Sequence, residues 1–154
     1  MKPKKKNGDN LYERLAHVES LINSILEEIK PNTVVVEDYS LAFGRGRSNI
    51  KTIILLAMIN ELVCLQCYKR KIPVKKYAVT SIRKTIADHY NQPSLSSKDD
   101  IFEFIVNRSA ESKKLYKVRY TSNNNVQQEC YDEVDAIAVC LKYCIDQKKF
   151  LIFF

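Results

Sequence analysis

Leu11, Leu15, Val18, Leu21, Ile22, Ile25, Leu26 and Ile29 recur three and four positions apart, which places all of them on one stripe of a helix. Asn10 and Glu13 have capping-box spacing ahead of that stripe, and Pro31 with Asn32 stops it, so a helix is predicted between them. The period then changes. Residues 33–39, Thr-Val-Val-Val-Glu-Asp-Tyr, form a short β-branched run that predicts a strand buried on both faces, and therefore a sheet with helices on either side.

Gly44, Arg45, Gly46 and Arg47 make a flexible basic loop, and Ser48 is placed to cap a long helix running to about Tyr68. That helix is apolar around most of its circumference, more than one sheet contact requires, which predicts that it also faces a partner subunit. Its most apolar part, residues 53–67, is broken by Asn60, Glu61 and Gln66 and falls short of the roughly 20 apolar residues of a bilayer span. Residues 72–79 read as a second strand, completing a β-α-β unit expected to be parallel and right-handed. A short helix near Ser81 to His89 follows, then a loop over residues 91–96. The next helix begins at about Ser97, with Ile101, Phe102, Ile105 and Val106 on one face. Alternation at Tyr116, Val118 and Tyr120, a polar turn over 122–125, and residues 126–131 predict a β-hairpin. A last helix is predicted from Asp132, carrying Val134, Ile137, Ala138, Leu141, Cys144 and Ile145. The order of elements is that of an α/β fold. Residues 1–9 read as a disordered basic tail and 10–154 as a single domain; the apolar residues 150–154 have no assignment.

With 45% apolar and 28% charged residues, a packed core and a well-solvated surface are both affordable. A formal charge of +7 and a pI near 9.1 favour polyanionic partners, either nucleic acid or an anionic membrane surface. The clusters at Lys2 to Lys6, Arg45 and Arg47, Lys69 to Lys76, Arg83 and Lys84, and Lys113 to Arg119 suit several contacts along a phosphate backbone. No apolar run of signal-peptide type follows the first lysines, so an intracellular, cytoplasmic protein is expected. The five cysteines form an odd set. Cys64 with Cys67 and Cys140 with Cys144 read either as reduced helix-packing thiols or, from their spacing, as zinc ligand pairs.

Glu37 stands at or next to the end of its strand, where ligands of open α/β sheets collect; Asp38 should point to the opposite face. Asp132 and Asp135 are three apart at a predicted helix start. There they can share a hard cation, or act as an N-cap and its acidic partner with a purely structural effect.

The joint pattern, a strand ending V-V-V-E-D-Y, then helix, strand and basic segment, then Y-D-E-V-D-A-I-A-V, resembles the RuvC-type Holliday junction resolvases of the ribonuclease H-like superfamily. N-L-Y-E-R-L, S-I-R-K-T at Ser81 to Thr85 and S-S-K-D-D-I-F-E-F at Ser96 to Phe104 also look like segments of that family, especially its phage-type members. The resemblance covers roughly residues 10–147. It implies a mixed sheet flanked by helices, and a homodimer that binds branched DNA at a four-way junction and makes symmetric cuts. It also implies two Mg²⁺ ions, with Mn²⁺ as a substitute, held by Glu37, Asp132, Asp135 and an Asp on the family's first strand. Lys98 is implied near the scissile phosphate and Arg83 and Lys84 in DNA contact.

One departure stands beside these matches. The family's first strand, with its Asp and glycine turn, and the two strands after it have no counterpart in residues 1–9, where Asp9 sits in a polar Asn7-Gly8-Asp9-Asn10 turn. The expectation is therefore a fold short of its first strands that binds branched DNA and cuts it poorly, or a DNA-binding remnant that has lost hydrolysis.

Overall fold

The computed structural model describes residues 10–38, 50–111 and 116–148. Helix α1 (Leu11–Ile29) opens on Asn10, whose side-chain oxygen accepts from the Tyr12 N–H. It closes at Lys30, which takes a left-handed conformation (φ 48°) while its N–H reaches the Leu26 carbonyl. Strand β1 (Val34–Asp38) follows, then α2 (Ile50–Lys69) and β2 (Val74–Ala78). The two strands are neighbours in a two-stranded sheet. The Val34 N–H donates to the Pro73 carbonyl, so both strands start at the same end, as the predicted parallel unit requires.

Three expectations need correction. Strand β1 is half-buried over its valines and exposed at Glu37 and Asp38, not buried on both faces. The hairpin reduces to one antiparallel bridge, Tyr120 with Val126, because residues 128–131 are already helical. Accordingly the last helix, α5 (Gln128–Asp146), begins four residues before Asp132. The alternation at Tyr116, Val118 and Tyr120 and the polar turn after it suit a hairpin, but Cys130 is fully buried on the face of α5 that continues through Val134 and Ala138. Tertiary burial at helical spacing outweighs a short period-two pattern.

The described residues fall into two compact units, divided between Lys76 and Tyr77. In the first, α1 packs on α2. Leu26 and Cys67 are buried there, while Tyr12, Ile25, Ile29, Ile54, Leu65 and Tyr68 stay exposed. In the second, α5 packs against both α3 (Val79–His89) and α4 (Lys98–Glu111). Its core is continuous across those helices: Ile82 and Ile86, Leu95, Ile101, Phe102 and Ile105, then Val134, Ala138 and Leu141. Among the described residues no helix is long and apolar enough to cross a membrane.

Candidate metal and nucleic-acid site

The second unit places the candidate lysine, Lys98, at the start of α4. Ser97 and Asp100 cap that helix reciprocally, with the Ser97 N–H on Asp100 Oδ2 at 2.7 Å and the Asp100 N–H on Ser97 Oγ at 3.0 Å. The segment just before it is tied to α3 by the Arg83 guanidinium, which donates to the Ser96 carbonyl at 2.6 Å, and is anchored by the buried Leu95. Lys98 is the first helical residue after this cap.

On α5, Asp132 and Asp135 are three apart, so they share a face, and Val134 and Ala138 turn inward behind them. Lys98 Nζ lies 2.9 Å from Asp135 Oδ2 and 3.5 Å from Asp132 Oδ1. Gln128, one turn earlier on α5, donates from Nε2 to the same Asp132 oxygen at 3.2 Å. The ammonium also stands 5.5 Å from the centre of the Tyr131 ring. Partial burial pulls the Lys98 pKa down, but the hydrogen bond and charge of Asp135, with those of Asp132, outweigh it and hold it above the usual lysine value.

This geometry bears on the structural reading of the aspartate pair. The N-cap of α5 is Gln127, which makes no side-chain capping bond, and Asp132 lies a full turn inside the helix. Capping therefore does not account for either aspartate. Both direct oxygen toward one cation, here the lysine ammonium, and carboxylate oxygens are the donors that hard divalent cations select.

Glu37 lies in the first unit, as the penultimate residue of β1. Its carbonyl accepts from Asn60 Nδ2 at 2.8 Å, so α2 pins the end of the strand. Asn60 registers in the sequence only as a break in an apolar stretch. Gln128 was equally hidden, because its i, i+4 relation to Asp132 exists only if the helix starts early enough to include it. Among the described residues, no group of three or more His, Cys, Asp or Glu side chains is placed to hold a metal ion. The cysteines are free thiols, and burial, then the neighbouring Cys64, pushes the Cys67 thiol up, away from the thiolate form that zinc binds.

Of the basic candidates, Arg83 and Lys84 line a recess of about 510 Å³ with Thr80, Asp88 and Ser96. Arg83 is half-buried and engaged by Ser96, whereas Lys84 is exposed. Arg45 and Arg47 lie outside the described residues. Behind the aspartates, the 116–127 segment is clamped to α5 by Glu133, which accepts from the Tyr116 hydroxyl at 2.7 Å and from Arg119 at 2.6 Å.

Comparison with known proteins gives a consistent result. The family model described as Crossover junction endodeoxyribonuclease RuvC matches residues 4–93, more than half of the chain. A structure of Thermus thermophilus RuvC aligns with a TM-score of 0.62 at 15% identity, covering 95% of this chain and 75% of that one. T. thermophilus RuvC in complex with Holliday junction substrate aligns at 0.59 and 14% identity, covering 96% and 78%. Among curated proteins nothing matches.

Proposed function

The chain belongs to the RuvC family of crossover junction endodeoxyribonucleases, and from that premise we propose that it binds four-way DNA junctions and hydrolyses their phosphodiester backbone at Asp132, Asp135 and Glu37, assisted by Lys98. The family's nucleases are metal-dependent. The observation that carries the residue assignment is the convergence of Asp132 and Asp135 on a single cation, the Lys98 ammonium, from a position where neither caps a helix.

The donor set fits hard divalent cations, Mg²⁺ or Mn²⁺ rather than zinc, and two Mg²⁺ ions are the occupants proposed for Asp132, Asp135 and Glu37. Bound there, they would supply activation of water and neutralisation of charge at the leaving oxygen. The protein's own groups do the rest. Gln128 orients the Asp132 carboxylate, Asn60 fixes the strand end that carries Glu37, and Lys98 offers an ammonium to a phosphate beside the carboxylates. Lys84 on the α3 recess, and Arg45 and Arg47 before α2, are the proposed contacts for the DNA arms, in keeping with the +7 charge.

A homodimer would present two such sites for symmetric cuts. The exposed Ile54, Leu56, Leu65 and Tyr68 on α2 support this. A second reading, junction binding without hydrolysis, is favoured by the two carboxylates, rather than three, that the described residues gather around Lys98. One experiment separates the two: incubation of a synthetic four-way junction with the protein in Mg²⁺, compared with its Asp132→Asn, Asp135→Asn and Glu37→Gln variants. Symmetric cleavage lost in the variants, with gel-shift binding retained, is the expected result. Binding without any cleavage by the parent chain establishes the second reading, and no junction binding at all ends both.

A further inference from the structure

An ammonium that neutralises a pair of carboxylates also repels a divalent cation that would share them. In this structure Asp135 and Asp132 are taken by Lys98, at 2.9 and 3.5 Å. Resting on the reading above of these aspartates as cation ligands, we propose that Lys98 is a tethered counter-cation: it neutralises the pair in the DNA-free protein, leaves it when a divalent cation loads, and delivers its ammonium to a phosphodiester of bound DNA.

The surroundings suit a side chain that can leave. The Lys98 backbone is fixed by the Ser97–Asp100 cap and by the Arg83 bond to Ser96, so its release needs only rotation of the four-carbon stem. That side chain is 39% exposed, with solvent on its outer side. Lys98 occupies the first position of a 14-residue helix, where the helix dipole disfavours a cation, so its hold on α5 works against a local penalty. Gln128 bonds Asp132 independently of Lys98 and keeps that carboxylate oriented after the lysine has gone. Because the two cations repel one another on the shared carboxylates, a DNA phosphate that captures Lys98 must raise affinity for the divalent ion. By linkage, the ion raises affinity for DNA by the same factor.

The test uses the full chain without DNA, with Mn²⁺ affinity measured by water-proton relaxation. Lys98→Met should bind Mn²⁺ about two- to fivefold more tightly than the parent, the range a partly exposed ion pair is worth. Lys117→Met, an exposed cation elsewhere in the same unit, should bind as the parent does. In parallel, acylation of Lys98 by an amine-reactive reagent, read by mass spectrometry, should be slow in the apo protein and speed up on adding Mg²⁺. Mn²⁺ binding that depends on Asp135 but is unchanged in Lys98→Met, with Lys98 equally protected with and without Mg²⁺, overturns the counter-cation while leaving the metal-ligand reading intact. If Mn²⁺ binds neither the parent nor Lys98→Met, and Asp135→Asn changes nothing, the metal-ligand reading falls and takes this inference with it.

Discussion

Ser97 and Asp100 each satisfy the other's backbone N–H, at 3.0 and 2.7 Å, and between them they set the position from which Lys98 departs. An N-cap hydroxyl of this kind contributes about 1 kcal/mol. Ser97→Ala should therefore lower urea stability by about that amount, and it should also reduce junction cleavage by loosening the first turn of α4. A variant with unchanged midpoint and unchanged cleavage would show that the cap positions nothing.

Lys142 is buried on α5, bonds both oxygens of Asp146 at 2.7 and 2.8 Å, and stands 5.1 Å from the centre of the Tyr77 ring on β2. Asp146→Ala leaves that ammonium without its carboxylate and is expected to cost about 2–3 kcal/mol, less than for a fully enclosed pair because Asp146 is a third exposed. Replacing both partners, Lys142→Met with Asp146→Leu, should cost less than the single change. Thermal denaturation of the three proteins checks the order, and a double variant less stable than Asp146→Ala would contradict it.

The clamp on α5 has a worked pH dependence. Arg119, then Tyr116, hold the Glu133 carboxyl below its usual range. A depressed acid contributes stability that is present above its unfolded pKa and lost as pH falls through the lower folded value. Burial, then Glu133, pushes the Tyr116 phenol up, so its contribution is present below the ordinary tyrosine range and is lost as pH rises toward the folded value. Hydrogen exchange across residues 116–127 should accordingly quicken toward both extremes beyond its intrinsic pH trend. In Glu133→Gln the acid-side acceleration should shrink. If it persists undiminished, another carboxylate carries the effect.

Glu37 and the aspartates are proposed to share cations, although they sit in different units of the chain. Groups that bind one ion as a set lose affinity non-additively. Glu37→Gln and Asp135→Asn should each weaken Mn²⁺ binding, and the double variant should lose much less than the product of the two single effects. Asn60→Ala should weaken it too, by releasing the strand end. Strict additivity would separate Glu37 from the site.

Local sequence signals located α1, α2 and β1 to within a residue or so, β2 to within two, and the start of α4, because capping residues, Pro31 and long apolar stripes act locally and need no tertiary context. The motif order around Glu37, Asp132 and Asp135 led in the same way to the RuvC family and its fold. What local signals could not decide was the start of α5. Residues 126–131 follow an alternating run and a polar turn, as a second hairpin strand would, and only burial of Cys130 against the 116–120 segment, at one-turn spacing from Val134, makes 128–131 the first turn of a helix. That one shift moved Asp132 from a cap to the interior, put Gln128 within reach of it, and turned a helix-start motif into a face. The meeting of Lys98 with two carboxylates more than thirty positions away depends on how α4 packs on α5, and that of buried Lys142 with Tyr77 on how the end of β2 meets α5. Long-range packing of this kind leaves no periodic trace along the chain.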